Sequence, residues 1–188
     1  MTPNKAYKLL GGLLLLVLSI AQLGVCARPH GTGDGQDLIL ATCKETLYVE
    51  VCVSSLGSDP RSRGADLEGL GAIALDLTMV HGSETISQMK RLNGQKNVTR
   101  DAYMAGCLRD CIEEYSDAVE NLRQSADAIK EKMYDTVNDM VSGAMTDSDT
   151  CEEAFNERPG YVSPLTERNQ YFYKLCSNAL SITKLLAS

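Results

Sequence analysis

Cysteine is the residue type with the clearest chemical meaning in this sequence. The chain contains seven cysteines, and the first, Cys26, lies near the end of an N-terminal segment. This segment consists of two lysines, the apolar run Leu9–Ile20 and small residues up to Ala27. This order is typical of a secretory signal peptide. We therefore predict that residues 1–27 are removed and that the mature chain folds in an oxidising compartment, where cysteines form disulfides.

Six cysteines remain in the mature chain, namely Cys43, Cys52, Cys107, Cys111, Cys151 and Cys176. Six cysteines can pair in 15 ways, and their spacing alone does not select one of them. Cys107 and Cys111 stand four residues apart on one helix face and could offer two thiolates to zinc. No second pair of cysteines or histidines follows at the spacing of a zinc site, so we predict no metal.

Other catalytic side chains are scarce. Only His30 and His81 could supply an imidazole, and the sequence lacks the signature motifs of nucleotide-binding proteins and serine hydrolases. We therefore expect neither enzymatic activity nor a cofactor. Carboxylates that could pair as in glycosidases follow one side of a predicted long helix: Asp110, Glu113, Glu114, Asp117 and Glu120. We interpret them as a solvated helix face, with contact to a partner as the alternative.

Charge and hydropathy restrict the partners. Without the signal peptide, 16 Lys and Arg stand against 25 Asp and Glu, a net charge of −9, so we expect no binding to nucleic acid. No later stretch approaches the ~20 apolar residues of a membrane span, so we expect no membrane contact after cleavage. Asn97-Val98-Thr99 is a candidate N-glycosylation site, because it lies in a predicted loop of a secreted chain.

The mature chain is long enough for one domain with a real core. We assign residues 28–37 to a flexible, glycine-rich leader and residues 38–188 to the domain. Short apolar runs around the first two mature cysteines predict a helical hairpin over Leu38–Leu56, closed by the turn Gly57-Ser58-Asp59-Pro60.

Periodicity predicts four further helices. The first spans Ala65–Leu92 and the second Thr99–Lys132. The third begins near Met133, weakens at Thr146-Asp147-Ser148 and has a short continuation with Cys151. The last begins at Pro164, with Ser163 as its N-cap.

Apolar residues recur at helical spacing and form one stripe on each predicted long helix. The stripes contain Leu67, Leu70, Ile73, Ala74, Leu77 and Val80 in the first helix, Leu108, Tyr115, Leu122 and Ile129 in the second, and Leu165, Phe172, Ala179 and Leu186 in the last. Such stripes are typical of a bundle core. The sequence therefore predicts an all-α, up-down four-helix bundle with an N-terminal helical hairpin, stapled by disulfides.

Several short blocks in the same order resemble the plant invertase and pectin methylesterase inhibitor family, particularly its plane-tree pollen members. The blocks are Thr42-Cys43-Lys44-Glu45-Thr46, Ser58-Asp59-Pro60-Arg61-Ser62, Tyr115-Ser116-Asp117-Ala118-Val119, Thr150-Cys151-Glu152-Glu153-Ala154-Phe155 and Ser163-Pro164-Leu165-Thr166, with shorter ones between them. The resemblance extends over residues 38–186. It implies the same bundle and a secreted protein that inhibits an enzyme by a non-covalent complex.

The resemblance also implies a disulfide pattern. It pairs Cys43 with Cys52 and Cys111 with Cys151, and it leaves Cys176 as an unpaired thiol. Cys107 departs from the family pattern, so a third bridge between Cys107 and Cys176 stays open as an alternative.

The family has two unrelated targets, and the sequence favours pectin methylesterase over acid invertase. Invertase-type members carry a Pro-Lys-Phe segment before the fourth framework cysteine, whereas Ala128–Ala144 contains neither proline nor phenylalanine. The resemblance places Thr150 at the interface with the methylesterase, and the alternative is that Thr150 is a helix cap.

We expect the protein in the cell wall, with the vacuole as the alternative. A helical lipid carrier and a non-inhibitory pollen or structural protein are the competing functions.

Overall fold

The structure is a computed structural model that describes residues 34–188. Within that range it contains α-helices, one 3-10 helix and no strand. The α-helices are α1 (Asp34–Lys44), α2 (Val49–Ser58), α3 (Leu67–Asn93), α4 (Lys96–Thr99), α5 (Ala102–Ala128), α6 (Tyr134–Asn156) and α7 (Thr166–Leu186). The predicted signal peptide, residues 1–27, and the first part of the predicted leader lie outside the described residues.

The four long helices form an up-down bundle, as predicted. Each packs against two neighbours, so that α3 contacts α5, α5 contacts α6, α6 contacts α7, and α7 contacts α3. Helices α3 and α6 therefore occupy opposite corners. None of the helices in residues 34–188 is long and apolar enough to cross a membrane.

Two of the predicted stripes form the centre of the bundle. In α5 and the residue after it, Leu108, Tyr115, Leu122 and Ile129 are fully buried. Leu165 and, in α7, Phe172 and Ala179 are buried just as completely. These side chains fill the space between the helices, an arrangement that differs from the continuous apolar cavity a lipid carrier requires.

The buried face of α3 differs from the predicted stripe. Val80 is 48% exposed, whereas Thr78 and Thr85 are fully buried. The two threonine hydroxyls donate hydrogen bonds to the carbonyls of Ala74 and His81, four residues earlier. Their polar groups are thereby satisfied inside the core, and the buried face turns away from Val80 in the second half of the helix.

Helix α6 is continuous, and the predicted weakening at Thr146-Asp147-Ser148 is wrong. The hydroxyls of Thr146, Ser148 and Thr150 donate to backbone carbonyls three or four residues earlier in the same helix. Residues that often end helices thus bond to the helix itself.

Three other predicted helix bounds were too generous. Helix α5 begins at Ala102 because the Asp101 carboxylate accepts hydrogen bonds from the N–H groups of Tyr103 and Met104. Its helical course ends before Lys132, whose φ of 56° lies in the left-handed region. Helix α7 begins at Thr166 rather than at Pro164, since Ser163 caps only the preceding turn, through the N–H of Leu165.

The N-terminal hairpin consists of α1 and α2, joined by a disulfide between Cys43 and Cys52. Helix α1 starts at Asp34, inside the segment that we assigned to a flexible leader. Gly35 makes this start possible, because any side chain there would collide with the backbone of Arg63 in the 3-10 helix Pro60–Gly64. Helix α1 thus begins before the predicted leader boundary at residue 37.

Arg61 ties the end of the hairpin to the bundle. Its guanidinium forms ion pairs of 2.6 Å with Asp59, which caps the 3-10 helix, and with Asp76 of α3. One arginine thus fixes the turn and its distance from α3.

The two disulfides should contribute unequally to stability. Cys43 and Cys52 are separated by 9 residues and Cys111 and Cys151 by 40, and a longer closed loop restricts the unfolded chain more. In the loop-entropy model the short bridge contributes about 2.5 kcal/mol and the long one about 4 kcal/mol. We expect replacement of the second pair by alanines to lower the free energy of urea unfolding more than replacement of the first. Equal losses would contradict this order.

Candidate functional site

Thr150 lies on the solvent side of α6, next to the bridge that joins α6 to α5. Its side chain is exposed, and its hydroxyl donates to the carbonyl oxygen of Thr146 at 3.0 Å. The neighbouring Cys151 is bonded to Cys111, with 4.7 Å between the two Cα atoms. Thr150 lies inside α6, whose cap residues are Met133 and Glu157, so the alternative that Thr150 caps a helix is wrong.

Both bridges are those that the family resemblance implies. The other two cysteines within residues 34–188, Cys107 and Cys176, are buried free thiols, so the alternative third bridge is absent. Burial raises the pKa of each thiol. Because Cys111 is bonded to Cys151, Cys107 and Cys111 cannot act together as two zinc thiolates.

A chain of hydrogen bonds joins α5, α6 and α7 beside the Cys111–Cys151 bridge. The hydroxyl of buried Tyr115 donates to Oδ1 of Asn169 at 2.8 Å, and Nδ2 of Asn169 donates to Oε2 of Glu152 at 2.6 Å. The Thr166 hydroxyl donates to the other Glu152 oxygen at 2.5 Å. We call these four residues the polar joint.

Sequence reasoning missed the polar joint, although the sequence contained two clues. Tyr115 belongs to the core stripe of α5, and a buried tyrosine hydroxyl needs a hydrogen-bond partner. Asn169, which is 4% exposed, stands four residues after Leu165 and three before Phe172, so helical spacing places it on the buried face of the last helix.

The predicted acidic face of α5 is solvated. Asp110, Glu113, Asp117 and Glu120 are exposed and Glu114 is half-buried. The ion pair with Arg123, 2.7 Å long, and a hydrogen bond from Gln124 lower the pKa of Glu120 to about 2.

Asp147 of α6 completes an acidic edge with Glu114 and Asp117 of α5. Burial raises the pKa of Asp147 to about 6, and the charges of Glu114 and Asp117 add to this effect. Its Oδ2 atom is buried without a hydrogen-bond partner in the described part of the chain. Near neutral pH, Asp147 therefore carries a poorly solvated negative charge on the same helix as Thr150.

His81 lies between α3 and α7 and is half-buried. Its Nε2 atom is 3.2 Å from the carbonyl oxygen of Arg168, and its ring contacts those of Tyr171 and Phe172. Burial lowers its pKa. These contacts are those of a boundary residue, and within residues 34–188 no group of three or more metal-ligating side chains is close enough to hold an ion.

Removal of the Tyr115 hydroxyl tests the polar joint. We expect Tyr115→Phe to lower the free energy of unfolding by about 1–3 kcal/mol, because Asn169 would keep a buried oxygen without a donor. Tyr134→Phe is the matched control, since the half-buried Tyr134 hydroxyl makes no hydrogen bond within the described range. Equal, small losses in both variants would contradict the role of the joint.

Asp147→Asn tests the acidic edge. A folded-state pKa above the ordinary 3.8 means that protonation favours the folded chain, so ionisation removes stability as the pH rises from about 4 to about 6. We expect Asp147→Asn to stabilise the protein at pH 7 by about 0.5–1 kcal/mol after allowance for solvent screening, and to have no effect below about pH 4. Thermal melts at pH 7 and below pH 4 measure this change in stability, with Asp139→Asn, at an exposed position, as the control. An equal gain in stability at the two pH values would contradict the prediction.

Known proteins match nearly the whole described chain. The model of the family described as plant invertase/pectin methylesterase inhibitor matches residues 37–182. A Platanus acerifolia protein named "Putative invertase inhibitor" is 37% identical over 158 residues, which cover 81% of this chain and 87% of that protein. A "Pectinesterase inhibitor" from Actinidia deliciosa is 30% identical over 174 residues, covering 93% and 91%.

A solved structure shares the fold. The crystal structure of a mutant form of a pectin methylesterase inhibitor from Arabidopsis superposes with a TM-score of 0.63, at 23% identity, and the match covers 76% of this chain and 93% of that one. The family consists of inhibitor proteins, in agreement with the expectation that the chain is not an enzyme. With its bundle, its hairpin and a family match over most of its length, the chain belongs to the plant invertase/pectin methylesterase inhibitor family.

Proposed function

We propose that the protein is a secreted inhibitor of a plant pectin methylesterase. It binds without covalent chemistry and covers the substrate cleft of the enzyme with α5, α6 and the Thr150–Cys151 corner. The observation that carries this proposal is the placement of Thr150, whose exposed side chain stands on an unbroken helix beside the Cys111–Cys151 bridge.

A rigid face suits an inhibitor. Association costs less free energy when the contact surface is already ordered, because fewer side chains and loops lose freedom on binding. Here the bridge fixes α6 to α5, and the polar joint fixes both helices to the start of α7. A methyl group added at Gly143 of α6 would stand 3.3 Å from Nδ2 of Asn121 in α5, so the two helices lie close together at this position.

Charge also favours an encounter with a basic enzyme. The mature chain has a net charge of −9, and α5 carries a row of carboxylates, of which Glu114 and Asp117 lie near Asp147 of α6. Such a field steers a positively charged partner toward the surface and weakens as salt rises. The predicted signal peptide directs the chain into the secretory pathway. We propose the cell wall as its destination, with the vacuole as the alternative.

Acid invertase is the second candidate target. The Platanus relative, at 37% identity, favours it. The first half of α6 favours the methylesterase, because the helix runs from Tyr134 without the proline of the invertase-type segment. Assay of both enzymes with the same preparation separates the two targets.

Thr150→Arg tests the proposed face. We expect this variant to keep its melting temperature and to lose at least tenfold in inhibition of pectin methylesterase, because a long charged side chain would stand in the contact. Ser87→Arg is the matched control: Ser87 is also exposed, also donates to the carbonyl four residues earlier, and lies on α3, at the opposite corner of the bundle from α6.

Three results decide the proposal. The proposal is supported if Thr150→Arg loses inhibition of the methylesterase while Ser87→Arg keeps it. Full inhibition by a folded Thr150→Arg protein would show that this corner is not the interface. Inhibition of acid invertase by the parent, with no effect on the methylesterase, would replace the target.

A further inference from the structure

Helix α4 carries a feature that the proposed function does not use. Asn97-Val98-Thr99 is the only Asn-X-Ser/Thr triplet in the sequence. The triplet belongs to a one-turn helix and not to the predicted loop. Asn97 and Thr99 are exposed, whereas Val98 packs against the core. The acceptor amide of Asn97 is thus open to solvent, while Val98 anchors the turn to the core.

Asn97 borders a cavity of about 290 Å³ where α3 ends and α5 begins. The cavity wall combines apolar and polar groups, a composition that suits a pyranose ring, whose C–H faces are apolar and whose rim carries hydroxyls. The apolar part includes Leu92, Val98, Met104 and Pro164, and the polar part includes Gln95 and Asp101.

We propose that Asn97 is N-glycosylated and that the first N-acetylglucosamine lies over this cavity. In the transfer, Nδ2 of Asn97 attacks C1 of the first sugar of an oligosaccharide that is carried on a lipid diphosphate. The N–C1 bond forms as the C1–O bond to the diphosphate breaks. The lipid diphosphate leaves with the electron pair, and the proton that Nδ2 gives up balances the additional negative charge of this leaving group.

The folded geometry indicates when the transfer takes place. The Thr99 hydroxyl donates to the carbonyl of Lys96 at 3.1 Å, and the Thr99 N–H donates to the carbonyl of Gln95 at 2.9 Å. The hydroxyl and the N–H of Thr99, the third residue of the triplet, are therefore both occupied in the folded protein. The sugar is therefore added to the extended chain before α4 forms, and the exposed Asn97 leaves room for it afterwards.

The proposal rests on the proposed secretion and not on the proposed target. Helix α4 contacts α3 and α5, whereas Thr150 lies on α6. Because α5 also belongs to the proposed contact face, the test of the glycan reads the mass of the protein and not its inhibition.

The test is the intact mass of the full chain secreted from plant cells with its own signal peptide. We expect a mass above that of the polypeptide by one N-glycan, lost in Asn97→Gln and in Thr99→Ala and kept in Thr99→Ser, which preserves the triplet. A secreted parent protein with the bare polypeptide mass would overturn the modification alone. A chain that stays inside the cell without sugar would overturn the modification together with the proposed secretion.

A second measurement tests the place of the sugar. The methyl resonance of Met104 should keep its position when the glycan is trimmed to a single N-acetylglucosamine and should shift when that last sugar is removed. No shift on complete removal would overturn the cavity contact.

Discussion

The proposed contact face depends on one junction, where α5, α6 and α7 meet. The Cys111–Cys151 bridge holds α6 to α5, and hydrogen bonds from Tyr115 through Asn169 to Glu152 join all three helices beside it. A partly buried network of this kind stabilises a fold only while each member keeps its partner, because an unpaired group would retain its full desolvation cost. The junction therefore specifies one arrangement of the three helices.

The residues that carry the family resemblance prove to be largely residues of the scaffold. Asp59 caps the 3-10 helix and pairs with Arg61, which also reaches α3. Tyr115 and Glu152 belong to the polar joint. These motifs reflect what the bundle needs in order to fold. In our account, recognition of the target falls to exposed side chains of α5 and α6, among them Thr150, which also lies within a motif.

Periodicity predicted the bundle because the buried stripes of α5 and α7 are apolar and regularly spaced, and the fold class was confirmed. Local signals failed where polar side chains bond to the backbone of their own helix. Thr78 and Thr85 are polar residues that a sequence pattern assigns to the solvent side, yet they are buried on the core face of α3. Serine and threonine inside α6 suggest a helix end, yet their hydroxyls bond to the backbone of that helix. The start of α1 depends on a close backbone contact of Gly35, and such a contact leaves no pattern in the sequence.

Methyl NMR of the protein bound to its target enzyme tests the central claim most directly. Thr146 and Thr150 expose their side chains on α6, whereas Thr78 and Thr183 are buried in α3 and α7. With threonine methyl groups labelled, titration with pectin methylesterase should shift or broaden the signals of Thr146 and Thr150 and leave those of Thr78 and Thr183 unchanged. An unchanged Thr150 signal in a mixture where the enzyme is fully inhibited would contradict the account.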